Sequence, residues 1–183
     1  MKNEGYDKTR KILPKYITQS VITDMLDKAK KDRYRNYILL LTLSRTGMRV
    51  SEIIKLQKND IHEDNIIVRQ GKGKKDRVIP LEKALGDILG LYIDRMKPKE
   101  RLFPFSKKWG DRQVRNIVYK YAPKDVDVSP HTFRHSFAVH CLKRGMNIRN
   151  LQKILGHGSL TTTQVYLDVT GSDVAENFWK VDW

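Results

Sequence analysis

The chain has 183 residues, 39% of them apolar, and a formal net charge of +15, with a sequence pI near 9.9. That length suits one domain with a real core, and no run of about 18 apolar residues is present to span a membrane. A single cysteine excludes an internal disulfide and suits a reducing cytoplasm, while a charge of this sign and size points to a polyanion, most often nucleic acid.

Residues 1 to 15 are polar and basic and include Pro14; they read as a tail or linker stub, without the apolar segment of a signal peptide. From Thr18 a helical period appears, with Val21, Ile22, Met25, Leu26 and Ala29 on one face. Tyr37 to Leu43 is apolar nearly all round, which predicts a central helix, and Gly47 stops it. A shorter helix follows with Val50, Ile53, Ile54 and Leu56. The period then changes to short β-like runs, "NIIVRQ" and "DRVIPL", around "GKGKK". Residues 61 to 81 therefore read as a small antiparallel sheet with a Lys/Gly-rich turn. Helical spacing returns with Leu85, Ile88, Leu89, Tyr92, Ile93 and Met96, and again with Val114, Ile117, Val118 and Tyr121. In "VSPHTF", Ser129 suits an N-cap and Pro130 a first turn. Asn147 and Ser159 read as caps of two further short helices, and Ser172 as the start of a last one.

Within "HTFRHS" (131–136), His131 and Arg134 are three apart and neighbours on a helix. His131 falls in the first turn, where free N–H groups and the helix dipole favour an anion. Phe133, Phe137 and Cys141 form a separate stripe that can face the core. A metal reading would use His131 and His135, four apart, with His140 and Cys141 nearby. Against it, no carboxylate or further cysteine is in register, His140 and Cys141 rotate away, and Arg134 would repel a cation; no metal is expected.

Three more blocks lie along the chain: "TGMRVSE" (46–52), "GKGKKDR" (71–77) and "LGHGSLTTTQVY" (155–166). With "HTFRHS" they stand in an order that resembles the tyrosine recombinases, or phage integrase family, most closely the Xer-like members, from about residue 16 to about 170. The resemblance implies the fold of their catalytic domain: mainly α with one small antiparallel β-sheet, over residues 16–183, ending in a tail helix at 172–183. It also implies the site. Arg49 matches the first catalytic arginine and Glu52 its acidic companion; Lys72 matches the hairpin lysine; His131 and Arg134 match the H-x-x-R pair; His157 matches the second histidine position and Tyr166 the nucleophile.

Each implied role has a physical reason. Negative charge grows on a phosphodiester in its transition state and needs fixed cations and donors; a guanidinium grips two phosphate oxygens in one plane. A phenol with a pKa near 10 is a poor nucleophile while neutral and needs a base, for which His131 is the candidate. Lys72 can protonate the leaving 5′-oxygen, with Lys74 the runner-up. His157 can donate to a non-bridging oxygen, and Glu52 can hold His131 or Arg49 in place. Lys74, Lys75 and Arg77 are expected to contact DNA.

The expected activity is DNA strand cleavage and rejoining through a 3′-phosphotyrosine, with no metal and no nucleotide cofactor. As the family implies, the partner is double-stranded DNA, bound by a homo-tetramer of chains that are monomers when free; no membrane is involved, and the expected place is the cytoplasm, associated with the nucleoid. The alternatives are a non-catalytic DNA-binding relative and a relaxing enzyme of the type IB topoisomerase kind. Family members usually carry a separate helical domain ahead of this one, closing a clamp around DNA. Here about fifteen residues precede the first helix, so the expectation is either an excised catalytic domain or a protein without the clamp.

Overall fold

The computed structural model describes residues 15–69, 76–106, 108–157 and 161–166. Residues 1–14 of the segment expected as an N-terminal tail and the segment expected as a C-terminal helix lie outside them, as do Lys72, Lys74 and Lys75 and Ser159.

Thr18 caps the first helix, α1 (Gln19–Asp32), its hydroxyl accepting from the Val21 amide. The i, i+3, i+4 spacing buries Ile22, Met25, Leu26 and Ala29 against α2 (Tyr34–Thr46). α2 is buried nearly all round, with Ile38, Leu39, Leu40, Leu41 and Leu43 in the core. Gly47 ends it in the left-handed conformation, φ 60°. A Cβ there would lie 2.5 Å from Cδ1 of Phe137 and 3.0 Å from Cδ2 of Leu155, so the close approach as well as the dihedral requires glycine.

A single helical turn, α3 (Val50–Ile53), precedes the sheet, shorter than the apolar run through Leu56 suggested; Leu56 is buried just beyond it. The sheet is an antiparallel pair of β1 (Asn65–Val68) and β2 (Arg77–Pro80), with Val68 opposite Arg77 and Ile66 opposite Ile79. Period-2 alternation turns Ile66, Val68, Arg77 and Ile79 inward and leaves Val78 exposed.

Three helices follow: α4 (Lys83–Ile93), α5 (Gly110–Tyr121) and α6 (Pro130–Lys143). Ser129 caps α6, with Pro130 in the first turn, as its sequence indicated. Asn36 and Asp32 bond the Tyr121 hydroxyl, tying the ends of α1 and α2 to α5. α7 (Ile148–Leu155) is capped by Asn147 and closed by Gly156 at φ 66°. A last short turn, α8 (Thr161–Gln164), leads to Tyr166. The described chain is thus mainly helical with one small antiparallel sheet, as expected. Beside the main core a second, smaller cluster joins Ala138 and Val139 of α6, Leu151 and Leu155 of α7, and the Tyr166 side chain.

Candidate active site

The site gathers where α7 ends. The last carbonyls of a helix lack intrahelical partners and carry the negative end of its dipole. Here three successive ones are used by three arginines from three elements. The Ile154 carbonyl accepts from Nε of Arg77 at 2.6 Å. The Leu155 carbonyl accepts from Nη2 of Arg134 at 2.8 Å, and the Gly156 carbonyl from Nη2 of Arg49 at 3.1 Å. Gly47 adds a fourth carbonyl, accepting from Nη1 of Arg134 at 2.6 Å.

One carboxylate offsets this charge. Glu52 takes Arg77 in a two-point grip, Nη1 to Oε1 at 2.7 Å and Nη2 to Oε2 at 2.8 Å. It also accepts from the Arg49 amide at 2.8 Å and from Nη1 of Arg49 at 3.0 Å. Of the two partners expected for Glu52, Arg49 is thus the one held. Burial by itself would raise the Glu52 carboxyl; the bonds from Arg77, then those of Arg49, bring it below its ordinary value of 4.5.

The arginines differ in reach. Arg49 keeps 36% of its side chain exposed and lines a cavity of ≈ 430 Å³ with His131, Arg115 and Tyr119. Arg134 is only 5% exposed. Burial, then repulsion by Arg49, lowers its pKa to about 10, with Glu52 opposing, so it stays charged at neutral pH. Arg77 corrects the sequence reading further. Expected as a DNA contact on the turn, it lies on the inward face of β2 with its side chain 8% exposed and its guanidinium occupied by Glu52 and Ile154. Strand parity carried the signal: Arg77 shares its face with buried Ile79.

The histidines separate by environment. His131 is exposed in the first turn of α6. His157, just past α7, bonds Thr163 Oγ1 through Nδ1 at 2.9 Å. Burial, then the nearby Arg134, Arg49 and Arg77, pushes its pKa down to about 4, so it is neutral at neutral pH. Where the Thr163 hydroxyl is the donor in this bond, the proton of His157 sits on Nε2. Tyr166 is 2% exposed. Its hydroxyl meets Nδ1 of His135 at 2.8 Å, not His131, the base expected from the sequence. Sequence reasoning considered His135 only as a metal ligand. Its ring stands edge-on to His131, with centroids 5.6 Å apart, and among the described residues no three His, Cys, Asp or Glu side chains gather where they could hold a metal ion.

The site therefore joins fixed guanidiniums, neutral imidazole and one phenol, a set able to hold an anion beside a hydroxyl. The phage integrase family model matches residues 15–172, and this chain belongs to that family. Its relatives include the tyrosine recombinase XerA of Thermococcus kodakarensis, 39% identical over 172 residues, covering 89% of this chain and 61% of that protein. XerA of Pyrococcus furiosus is 38% identical over 185 residues, covering 92% and 62%. The chain spans about three-fifths of the length of these curated relatives. Among solved structures, a XerA recombinase superposes with TM-score 0.76 at 32% identity, covering 96% of this chain and 68% of that one. The catalytic domain of bacteriophage HP1 integrase, at 24% identity, shares the fold with TM-score 0.68 over 91% of this chain and 94% of that one. XerH recombinase bound to its difH substrate shares it at TM-score 0.68 and 24% identity, covering 92% and 56%.

Proposed function

We propose that this chain is the catalytic domain of a site-specific DNA recombinase that cuts and rejoins strands through a 3′-phosphotyrosine. The observation that carries this reading is the placement of Arg49 and Arg134 on adjacent carbonyls at the end of α7, beside a buried Tyr166. Two fixed guanidiniums stabilise the charge of a pentacoordinate phosphorus without reorganising as it forms. His131, on the same cavity as Arg49, and neutral His157 donate to the other phosphate oxygens. Lys72 protonates the leaving 5′-oxygen, with Lys74 as the second choice, and Lys74 and Lys75 hold the backbone. Glu52 and Arg77 position Arg49. The energy of the broken phosphodiester is kept in the phosphotyrosine, so rejoining needs no ATP.

Double-stranded DNA in the cytoplasm is the proposed partner, supported by the net charge of +15 and by the family. Four protomers, monomeric when free, would act on two duplexes. The test is a nicked suicide substrate analysed on a denaturing gel. The chain should form a covalent adduct, and Tyr166→Phe should bind DNA without forming one. An adduct that survives in the variant would move the nucleophile to another tyrosine. A two-site recombination assay run beside plasmid relaxation separates a recombinase from a relaxing enzyme.

A further inference from the structure

Among the described residues, the Tyr166 hydroxyl has one hydrogen-bond partner, Nδ1 of His135 at 2.8 Å. His135 follows Arg134 directly and stands one turn beyond His131 on α6. Its ring centroid is 5.6 Å from that of Tyr166, the two planes inclined at 54°. Burial raises the phenol above its ordinary value of 10, with Arg134 and Arg49 opposing, so Tyr166 holds its proton at neutral pH. Burial, then His131 and Arg134, lowers the imidazole below its ordinary 6.5. His135 is therefore neutral there, and with its proton on Nε2 its Nδ1 lone pair faces the phenol.

We propose that His135 is a catalytic residue, the group that takes the Tyr166 proton during strand cleavage. The assignment rests on the reading of the chain as a tyrosine recombinase and fills the role that sequence had given to His131. As the phenol oxygen bonds to phosphorus, its proton passes to Nδ1 and the P–O5′ bond breaks. The electron pair leaves with the 5′-oxygen, which is protonated by Lys72 or water. In rejoining, a 5′-hydroxyl attacks phosphorus and gives its proton to Lys72 or water, the P–O(phenol) bond breaks, and His135 returns its proton to the departing phenolate.

The surroundings tie this step to substrate. An imidazolium at His135 would stand beside Arg134 and His131 on its own helix, facing His157 past α7, with Arg49 close to the phenol. Arg134, charged at neutral pH, disfavours it while the site is empty. A bound phosphodiester, whose negative charge grows in the transition state, reverses that balance. The phenol is then activated only where a phosphate lies between the arginines.

The test is single-turnover adduct formation by the full chain on the nicked substrate. In His135→Asn the side-chain amide stands near the position of Nδ1, keeping a hydrogen bond but unable to take a proton. His135→Ala opens the space for added imidazole. The expected result is a rate lower by about 10²–10⁴-fold in both variants, the range for lost acid–base catalysis. DNA affinity should stay unchanged in both and melting in His135→Asn, and imidazole should restore part of the rate to His135→Ala. Wild-type speed in His135→Asn would overturn the assignment and leave a purely positioning histidine. A loss in His135→Ala that imidazole does not relieve would also overturn it. If the wild type forms no adduct, the strand-cleavage reading fails and the assignment falls with it; an adduct lost in Tyr166→Phe but kept at full rate in both His135 variants sinks the assignment alone.

Discussion

Glu52 is the residue on which the arginine cluster depends. It bonds two guanidiniums, one of them buried, and Arg134 lies close enough to feel its charge. Glu52→Gln keeps the shape and removes the charge, leaving Arg77 buried without a counterion. Breaking one side of a buried pair costs about 3 kcal/mol, and a urea melt at neutral pH should show a loss of that size. Because the folded carboxyl lies below its ordinary 4.5, its contribution is present above that pH and is lost as pH falls through the lower folded value. The gap between wild type and Glu52→Gln should accordingly hold from neutral pH down to 4.5 and narrow as pH falls further, through the lower folded value. A gap that stays constant below 4.5 as well would show that the carboxylate charge is not what holds the cluster.

At the scale of elements, the join between α2 and α3 sets the site. Gly47 ends α2, its carbonyl holds Arg134, and its α-carbon leaves no room for a methyl beside Phe137. Gly47→Ala forces a left-handed alanine and a displaced ring, at a cost of about 2–4 kcal/mol. Thermal melting should record it, and cleavage should fall further than stability because Arg134 loses its anchor. The helices were legible in the chain because buried side chains recur at helical spacing and Thr18, Ser129 and Asn147 announce their starts. Arg49, Arg134, His157 and Tyr166 were legible through their motifs. The inward face of Arg77 was available from strand parity but was outweighed by the basic turn before it. The bond between His135 and Tyr166 had no local signal. It crosses 31 positions and depends on how α7 and α8 fold back over α6.

Across the whole molecule, charge would govern how the proposed DNA partner is met. With a net charge of +15, binding should be dominated by phosphate contacts and counterion release. If about six phosphates are neutralised, the slope of log affinity against log salt should be about −5. A filter-binding or anisotropy titration checks this, and a nearly flat response would contradict it. The same supply of fixed cations bears on metal dependence. Arg49, Arg134 and the proposed Lys72 already provide the positive charge that a metal would bring to a phosphoryl group. EDTA should leave the rate of adduct formation unchanged, and loss of activity restored by zinc or magnesium would return His131 and His135 to the role of ligands.

The three arginines hang from peptide oxygens 154, 155 and 156, and those oxygens belong to every amino acid alike. This share of the anchoring is therefore written in the path of the main chain, beside what the Glu52 carboxylate supplies. Substitutions at Ile154 or Leu155 that preserve packing would leave the charge geometry intact, whereas lengthening or shortening that turn by one residue would misplace all three guanidiniums together. The last turn of α7 is a ruler whose marks are peptide units, and the cationic array can drift in composition around it but not in length.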